Sequence, residues 1–217
     1  MKVVITGSSC GIGLATAELF LEKGHEVHGI DVRPSAIEHE NYRHYVVDVR
    51  DKDKLPEIGH VEILVNNAGA QNSDDDIDVN LKGLINTTEK YGLQPAIKSI
   101  LNQASVSGHV GTEFPRYVAS KGGVLAYTKW TAKEIAKYRA TCNSLSCGGV
   151  LTPLNDCVIN DSKLWHKIMS MTPLRKWATA EEIAQWTYFF TVINKSCSGQ
   201  DLIIDNLETL NQEFVWI

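Results

Sequence analysis

The chain has 217 residues, of which 43% are hydrophobic and 22% are charged, and its formal net charge is −5. This composition is typical of a globular domain of ordinary size and excludes a disordered or fibrous protein. The acidic balance gives no basic face for nucleic acid, so we expect no nucleic-acid partner. Every apolar run falls short of the roughly 20 residues that cross a bilayer, so we expect a soluble, cytoplasmic protein with no membrane partner.

Five cysteines occur without the spacing of a disulfide framework or a zinc site. Their number is odd, no Cys-x-x-Cys pair is present, and no paired histidines accompany them. We therefore expect free thiols, as in a reducing compartment. An acidic run, Asp74 to Asp76 followed by Asp78, could form a metal site, but a solvated loop at a helix start is the favoured interpretation. The sequence thus predicts no bound metal.

Short runs rich in Val and Ile alternate with helical segments along the whole chain. The predicted strands are residues 2–6, 26–32, 44–49, 61–65, 100–104, 141–145 and 202–205. The predicted helices are about 13–23, 78–91, 117–138 and 180–192. Such alternation forms right-handed βαβ units and a parallel sheet covered on both faces. We predict an α/β fold: one domain over residues 1–217, with a doubly wound, Rossmann-type sheet of about seven parallel strands.

A glycine-rich turn joins the first predicted strand to the first predicted helix. Gly7, Gly11 and Gly13 stand in the spacing G-x-x-x-G-x-G, which differs from the general G-x-G-x-x-G fingerprint. Glycines at such a junction let the backbone approach a pyrophosphate, and the helix N-terminus offers free N–H groups and a positive dipole end. Many turns are rich in glycine, but this position between a strand and a helix favours a dinucleotide site.

The second predicted strand ends near Asp31, about 20 residues beyond the glycine turn. An acid at this point accepts hydrogen bonds from the adenosine ribose hydroxyls and repels a 2′-phosphate. Cys10 stands directly before Gly11, where an arginine or lysine would help to bind that phosphate. Arg33 is a cation close to the same place, and we interpret it as a surface arginine. These features favour NAD over NADP.

Five motifs in chain order resemble those of the short-chain dehydrogenase/reductase family, and the resemblance covers nearly the whole chain. They are Thr6-Gly7-x-x-x-Gly11-Ile12-Gly13, Asn66-Asn67-Ala68-Gly69, Asn80-Leu81-Lys82-Gly83, Ser105 after the fifth strand, and Tyr117-Val118-Ala119-Ser120-Lys121. The resemblance implies an oxidoreductase that transfers a hydride between a nicotinamide and a secondary alcohol or ketone.

The resemblance also implies a catalytic set and a cofactor set. The catalytic set is Asn80, Ser105, Tyr117 and Lys121. The cofactor set is Gly7, Ser9, Cys10, Gly11, Ile12, Gly13, Asp31, Asp48, Val49, Asn67, Ala68, Gly69, Tyr117, Lys121, Val150 and Thr152. Within it, Asp48 and Val49 are expected at the adenine and Asn67 beside the adenosine ribose. Val150 and Thr152 are expected at the nicotinamide carboxamide.

The chemistry of the reaction explains why these residue types would be needed. Tyr117 and Lys121 are four residues apart on a predicted helix, so their side chains share one face. A nearby cation favours a phenolate, so we expect Lys121 to lower the pKa of Tyr117 from about 10. Ser105 is expected to orient the substrate oxygen, and Asn80 to hold a water that links Lys121 to solvent. Each residue alone has an ordinary structural interpretation, but the set together with the glycine turn favours catalysis.

The chain departs from the family pattern in four places. Ser105 and Tyr117 are one residue closer than expected because of the 110–116 loop, and the segment between residues 69 and 80 is short. Cys147-Gly148 stands where the family has Pro-Gly, and Asp205-Asn206 where it has Asp-Gly-Gly. We expect a lower wall of the substrate cleft, a looser cleft floor with an inert thiol, and an altered C-terminal turn.

Substrate choice is expected to lie in a mobile lid at about residues 154–172. Its side chains, which include Trp165, His166, Met169 and Met171, are compatible with sugars, polyols, hydroxy acids, 3-oxoacyl thioesters and sterols. The resemblance implies a homodimer or homotetramer that pairs through the helices at about 80–95 and 117–138. The tail at 214–217 is expected to pack on a neighbouring subunit.

Two other functions remain open at this point. A non-catalytic NAD-binding regulator or scaffold would keep the glycine turn and Asp31, but it would not need the whole catalytic set. A sugar-nucleotide epimerase or dehydratase would have a longer chain with a separate C-terminal substrate region. Both alternatives fit this sequence less well than the dehydrogenase or reductase.

Overall fold

A parallel sheet of seven strands forms the centre of the structure, a computed structural model that describes residues 1–210. The tail contact expected at 214–217 lies outside the described residues. In chain order the strands are β1 (Lys2–Thr6), β2 (Glu26–Asp31), β3 (Tyr42–Val46), β4 (Ile63–Asn66), β5 (Ser99–Ser105), β6 (Thr141–Cys147), β7 (Val150–Leu151), β8 (Ala178–Thr179) and β9 (Asp201–Ile204). The sheet order is β3-β2-β1-β4-β5-β6-β9, while β7 and β8 pair separately. The strand order reverses between β1 and β4, where open α/β sheets bind their ligands.

Helices cover both faces of the sheet, as predicted. They are α1 (Gly11–Glu22), α2 (Leu84–Thr87), α3 (Ser107–Val110), α4 (Pro115–Ile135), α5 (Asp156–Ile159), α6 (Ser162–Met171) and α7 (Ala180–Tyr188). Segments of π-helix occupy Asp78–Gly83 and Thr88–Gly92 on either side of α2, and Phe189–Ile193 after α7. Short 3-10 turns occupy Lys52–Lys54, Ala136–Tyr138, Pro153–Asn155 and Glu208–Leu210.

The alternation of apolar side chains along the strands divides the core into two layers. On one face, Val3 and Ile5 of β1 pack with Phe20 of α1 and Tyr188 of α7. On the other face, Val4 packs with residues from the helical segment 78–92 and from α4. Strands buried on both faces become continuous apolar runs, which is why the central strands are rich in Val and Ile. The predicted Rossmann-type fold is confirmed.

Two of the strand-to-strand crossovers have no α-helix. The β2–β3 connection contains no helix, and the β3–β4 connection contains only the Lys52–Lys54 turn. Leu55, Ile58 and Val61 fill the core where a crossover helix would pack. The phenol of Tyr91 donates a hydrogen bond to the Pro56 carbonyl (2.9 Å), which attaches this irregular segment to the sheet.

Several elements begin or end at other residues than predicted. β3 occupies Tyr42–Val46 where 44–49 was predicted, and β4 occupies Ile63–Asn66 where 61–65 was predicted. β5 and β6 extend to Ser105 and Cys147, one and two residues beyond their predicted ends. The helix predicted at 78–91 is a composite of π and α segments. A capping box begins α7, in which Thr179 accepts from the Glu182 amide and Glu182 accepts from the Thr179 amide. Among residues 1–210, none of the helices combines the length and the hydropathy of a membrane-spanning segment.

Candidate active site

The glycine turn after β1 lies at the carboxyl edge of the sheet, at the switch point of the strand order. Gly7 and Gly11 have φ values of +68° and +54°, a left-handed conformation that glycine adopts at least cost. A Cβ on Gly13 would lie 2.0 Å from the Gly7 carbonyl oxygen, so only glycine fits this crossing. The first turn of α1 has no capping side chain and no acidic residue. Its N–H groups are therefore suited to an anion such as a pyrophosphate.

Asp31 lies at the end of β2 with its carboxylate against the glycine turn. One carboxylate oxygen accepts from the Ser9 amide and the other from the Arg33 amide, both at 2.9 Å. The Arg33 side chain folds back across the turn and donates to the Cys10 sulfur (3.1 Å). The residue interpreted as a surface arginine is exposed, but it covers the same turn that Asp31 supports.

Asn67 and Ala68 follow β4 and fix the other side of the glycine turn. Both of their amides donate to the Thr6 hydroxyl at 3.0 Å. The Asn67 side chain donates to the carbonyls of Thr6 and Gly7, each at 3.1 Å. Asn67 therefore supports the turn itself, beside the place where the sequence puts the ribose.

Asp48 and Val49, which are expected at the adenine, follow β3. The Asp48 carboxylate is paired with the Arg50 guanidinium (2.7 Å), which also contacts Asp75 (2.9 Å). The Arg50 hydrogen bonds hold the pKa of Asp48 below its usual value. Val49 is buried against Gly83, where a Cβ would come within 2.5 Å of its side chain. Within the acidic run, Asp74, Asp75 and Asp78 form ion pairs with Arg116, Arg50 and Lys82. Asp76 departs from the solvated loop that the sequence favoured, because it is buried and accepts from the Ser73 amide (3.1 Å) and hydroxyl (2.8 Å).

Tyr117 and Lys121 occupy the first half of α4 and converge on the ends of β5 and β6. The Lys121 ammonium lies 5.5 Å from the centre of the Tyr117 ring and donates to the Gln103 carbonyl (2.9 Å). Lys121 is only 5% exposed, and this burial lowers its pKa to about 8. The two side chains share one helix face, as their spacing predicts.

Burial also decides the protonation of the phenol. It raises the pKa of Tyr117 to about 12, while a hydrogen bond with Ser105 acts in the opposite direction. The negative charges of Glu113 and Asp76 add to the rise. The lowering expected from Lys121 is not found, because burial of the phenol raises its pKa, and the phenol is therefore protonated at neutral pH.

Asn80 lies in the π segment that precedes α2. Its side chain accepts from the Ala70 amide (2.7 Å) and donates to the Ala70 carbonyl (2.9 Å) and the Ser120 hydroxyl (3.0 Å). Ser120 is the residue before Lys121, so this bond joins the π segment to α4 next to Tyr117 and Lys121. Single π turns inside helices often occur at functional sites.

Ser105 ends β5 and is connected to a second serine. Its hydroxyl donates to the Ser107 hydroxyl (3.2 Å), which donates to the Glu113 carboxylate (2.6 Å). Both serines are buried, whereas Glu113 is exposed in the loop before α4. Glu113 has a φ of +81°, which is uncommon for a residue other than glycine.

The cleft floor after β6 is held by residues from the C-terminal turn. Trp177 lies so close to Gly149 that a Cβ there would come within 1.9 Å of the indole. The Glu208 carboxylate accepts from the Trp177 indole (2.7 Å), the Thr172 hydroxyl (3.2 Å) and the Gly149 amide (3.2 Å). The floor was expected to be loosened by loss of the family's proline, but this packing constrains it. Cys147 lies behind it, and burial raises the pKa of its thiol to about 12, as expected of an inert side chain.

The altered C-terminal turn has the left-handed backbone that favours glycine, although its residues are not glycines. Asn206 and Leu207 have φ values of +52° and +70°, at the positions where the family has two glycines. Asp205 accepts from the amides of Leu207 (3.0 Å) and Thr209 (2.8 Å), and so holds the turn. This conformation places Glu208 below Gly149.

A family model described as short chain dehydrogenase matches residues 1–163. The chain belongs to this family. The 3-oxoacyl-[acyl-carrier-protein] reductase FabG of Thermotoga maritima is 31% identical over 235 residues, which cover 93% of this chain and 95% of the relative. The protein of that name from Staphylococcus epidermidis is 28% identical, with 87% of this chain and 90% of the relative covered.

Solved structures agree with the assignment. A 4-hydroxyisoleucine dehydrogenase mutant complexed with NADH and succinate has a TM-score of 0.86 and 26% identity, over 97% of this chain and 99% of its own. A putative 2-deoxy-d-gluconate 3-dehydrogenase from Agrobacterium tumefaciens with bound NADP has a TM-score of 0.85 and 26% identity, over 96% of both chains. This short-chain dehydrogenase is an oxidoreductase that uses a nicotinamide cofactor and transfers a hydride to or from an alcohol or ketone. A non-catalytic regulator or scaffold is not favoured.

The structure of this short-chain dehydrogenase brings most of the expected site residues to one edge of the sheet. Ser105, Tyr117 and Lys121 meet there, and Thr152 lies against Gly11, with its side chain 3.2 Å from where a Cβ would be. Val150 is buried as part of β7. Asp48 lies farther along the edge, and its carboxylate forms an ion pair with Arg50. All five cysteines are free thiols, as predicted.

Sequence reasoning missed a buried polar network that lies beneath the site. Asn66 donates to Asn102 (2.9 Å) and Thr88 (3.0 Å) and accepts from Thr87 (2.7 Å). Asn102 donates to Thr128 of α4 (2.9 Å), so the network joins β4, β5 and both helices of that face. A signal was available, because an asparagine in the middle of an apolar strand must find partners when it is buried.

Proposed function

We propose that the protein is an NAD-dependent dehydrogenase or reductase that uses Tyr117, Lys121, Ser105 and Asn80 for catalysis. The observation that supports this most directly is the convergence of the Tyr117 phenol, the buried Lys121 ammonium and the Ser105 hydroxyl. A helix-surface pair of ordinary residues would leave the lysine in solvent, whereas this lysine is buried with one backbone partner. An ammonium in that position has a chemical use, because it stabilises negative charge on the neighbouring phenol.

The residues of the glycine turn fit a dinucleotide. Gly7, Ser9, Cys10, Gly11, Ile12 and Gly13 surround the first turn of α1, whose N–H groups have no side-chain cap. We assign Asp31 to the adenosine ribose, Asp48 and Val49 to the adenine, and Asn67, Ala68 and Gly69 to the wall beside the ribose. Val150 and Thr152 would face the carboxamide of the nicotinamide, since Thr152 lies against Gly11.

NAD is the proposed cofactor because of the charge at the ribose position. The Asp31 carboxylate is fixed by two backbone amides and would repel a 2′-phosphate. The Arg33 guanidinium donates to the Cys10 sulfur next to this site, and its positive charge works against the preference for NAD. The solved relatives include one complexed with NADH and one with bound NADP, so the charge at this site is the deciding feature.

When bound, the nicotinamide accepts or supplies the hydride at the reacting carbon. Tyr117 handles the proton: its phenol donates to the carbonyl oxygen in reduction and, as phenolate, accepts from the hydroxyl in oxidation. Ser105 positions that oxygen beside the phenol. Lys121 supplies a positive charge next to the phenolate, and Asn80 holds α4 in place through Ser120.

The substrate class is proposed from the relatives and from the lid. The most similar relatives named above reduce 3-oxoacyl groups by name, and the solved ones include dehydrogenases of a hydroxy amino acid and a sugar acid. We propose a small secondary alcohol or ketone, bound under a lid at about residues 154–172 of one domain. In that lid, Trp165 of α6 contacts Trp177 edge to face (5.1 Å between ring centres).

A cofactor-coupled absorbance screen tests this function. The panel contains 3-hydroxyacyl esters, polyols, sugars, hydroxy acids and sterols, each offered with NAD and with NADP. We expect turnover with at least one class, and its loss in Tyr117→Phe with cofactor binding nearly unchanged. Turnover that persists in Tyr117→Phe would remove the phenol from the mechanism.

We further propose a cytoplasmic homodimer or homotetramer that pairs through the helical segment 78–92 and α4. Trp130 of α4 is 46% exposed and stacks on Tyr127, which leaves an aromatic surface on that helix. Light scattering of the purified protein measures the subunit number. A monomer at all concentrations would contradict the pairing.

A further inference from the structure

A line of hydroxyl groups leads from Ser105, beside the Tyr117 phenol, to solvent through Ser107 and Glu113, two residues that the family's motifs do not include. Ser105 donates to Ser107 (3.2 Å), and Ser107 donates to Glu113 (2.6 Å). The Ser105 hydroxyl also lies close enough to the Tyr117 phenol to lower the pKa of that phenol, against the effect of burial. Ser107 is 1% exposed and Glu113 is exposed, so the line starts at a buried group and ends at the surface.

The direction of these hydrogen bonds has a chemical meaning. While the Glu113 carboxylate is ionised, it can only accept hydrogen bonds, so the Ser107 hydroxyl must be the donor of the bond between them. The Ser107 oxygen is then free to accept from Ser105, and the Ser105 oxygen to accept from Tyr117. The two serine hydroxyls thus both donate in the direction of the carboxylate, while the Ser107 amide donates back to the Ser105 oxygen (3.2 Å).

We propose that Ser107 and Glu113 form a proton relay between Tyr117 and solvent, with Glu113 as its outer acceptor. This inference rests on the proposed dehydrogenase function of the same site. During alcohol oxidation, Tyr117 takes the substrate proton and then passes one on. The Tyr117, Ser105 and Ser107 O–H bonds break while new ones form at Ser105, Ser107 and Glu113, so one proton moves outward and no electrons are transferred. Ketone reduction uses the same line inward.

The surroundings of the catalytic pair support a separate route. Lys121 is buried and donates to the Gln103 carbonyl, and the Asn80 side chain is occupied by Ala70 and Ser120. Glu113 lies in the loop that is one residue shorter than the family pattern, and it has a left-handed backbone. Strained backbone of this kind persists where the surrounding structure holds it, often at functional sites.

The first test measures the coupling of Glu113 to the phenol and needs no substrate. The titration of Tyr117 is followed by the ζ-carbon chemical shift of labelled tyrosine, assigned with Tyr117→Phe. We expect Glu113→Gln to lower the pKa of Tyr117, because a negative charge is removed. The matched control Asp74→Asn, an exposed carboxylate paired with Arg116, should leave it unchanged. Equal titrations in all proteins would overturn the coupling.

The second test measures proton transfer during oxidation of methyl 3-hydroxybutanoate with NAD, or of the best alcohol from the screen. In Glu113→Gln and Ser107→Ala we expect kcat to fall about tenfold with KM unchanged, which is less than the roughly 100- to 10,000-fold contribution of a group that exchanges the proton with the substrate directly. Imidazole added to Glu113→Gln should restore kcat in proportion to its concentration, and Glu113→Asp should restore part of it. A merely structural role would not respond to a small buffer.

The outcomes separate this relay from the proposed function. Wild-type turnover with an unaffected Glu113→Gln variant overturns the relay alone. A wild-type protein that oxidises no alcohol and reduces no ketone overturns the proposed function and the relay with it, whatever the titration shows.

Discussion

Replacement of the buried lysine should stabilise the protein while it abolishes turnover. Lys121 is 5% exposed, and burial lowers its pKa from 10.5 to about 8. The charged form is therefore disfavoured in the folded protein by two to three pKa units, or about 3 kcal/mol at 1.36 kcal/mol per unit. Lys121→Met keeps the length and apolar stem of the side chain and removes this penalty.

The net gain is smaller than the penalty because one hydrogen bond is lost. The ammonium donates to the Gln103 carbonyl, and loss of such a bond costs about 1 kcal/mol. We expect the free energy of unfolding at pH 7 to rise by about 2 kcal/mol, which corresponds to a Tm increase of roughly 4–8 °C for a chain of this size.

The stability difference between Lys121→Met and the wild type should depend on pH. Between pH 8 and pH 10.5 the unfolded lysine still binds a proton that the folded one has released, so the stability of the wild type rises with pH. The advantage of Lys121→Met is thus complete below about pH 8 and disappears toward pH 10.5. Urea denaturation across this range measures it, with Lys129→Met, an exposed position on the same helix, as the control. A variant less stable than the wild type at pH 7, or a pH-independent difference, would refute the reasoning.

Three further outcomes are expected. Asp31→Ala should weaken NAD binding and shift the kcat/KM ratio toward NADP, while Arg33→Ala shifts it the other way; an unchanged ratio in both would refute the assignment. Gly149→Ala should destabilise the protein by about 1–3 kcal/mol in urea denaturation, since its Cβ would come within 1.9 Å of Trp177, and unchanged stability would contradict this packing. Leu207→Gly should raise stability by about 0.5–1 kcal/mol, because glycine accepts the left-handed backbone, whereas a loss would show that the Leu207 side chain matters more.

The fold and the centre of the site could be predicted because their signals are local. Val and Ile runs mark the strands, and the four-residue spacing of Tyr117 and Lys121 fixes their common face wherever the helix packs. The glycine spacing indicates a close approach that Gly13 makes against the Gly7 carbonyl. Each of these inferences needs only neighbouring residues.

The features that sequence reasoning missed depend on contacts between distant residues. Nothing near Glu208 in the chain indicates that it accepts from Trp177 and the Gly149 amide. The sequence predicted a fall in the pKa of Tyr117 because the positive charge of Lys121 could be read from the spacing, whereas the burial of the phenol could not. The extension of β6 to Cys147 likewise follows from pairing with β5 and β9, which propensity does not reveal.

The π segments around α2 determine where this chain can tolerate a change in length. A π turn contains more residues than an α turn. It therefore determines the direction in which the side chains of the following residues point around the helix axis. Removal of one residue between Asn80 and Leu84 would rotate the later side chains by about 100° around the helix axis, away from their present partners. The crossovers after β2 and β3 carry no such constraint, because irregular backbone can shorten without turning a neighbour. Length differences among relatives should therefore accumulate in those crossovers and leave the helix of Asn80 in register.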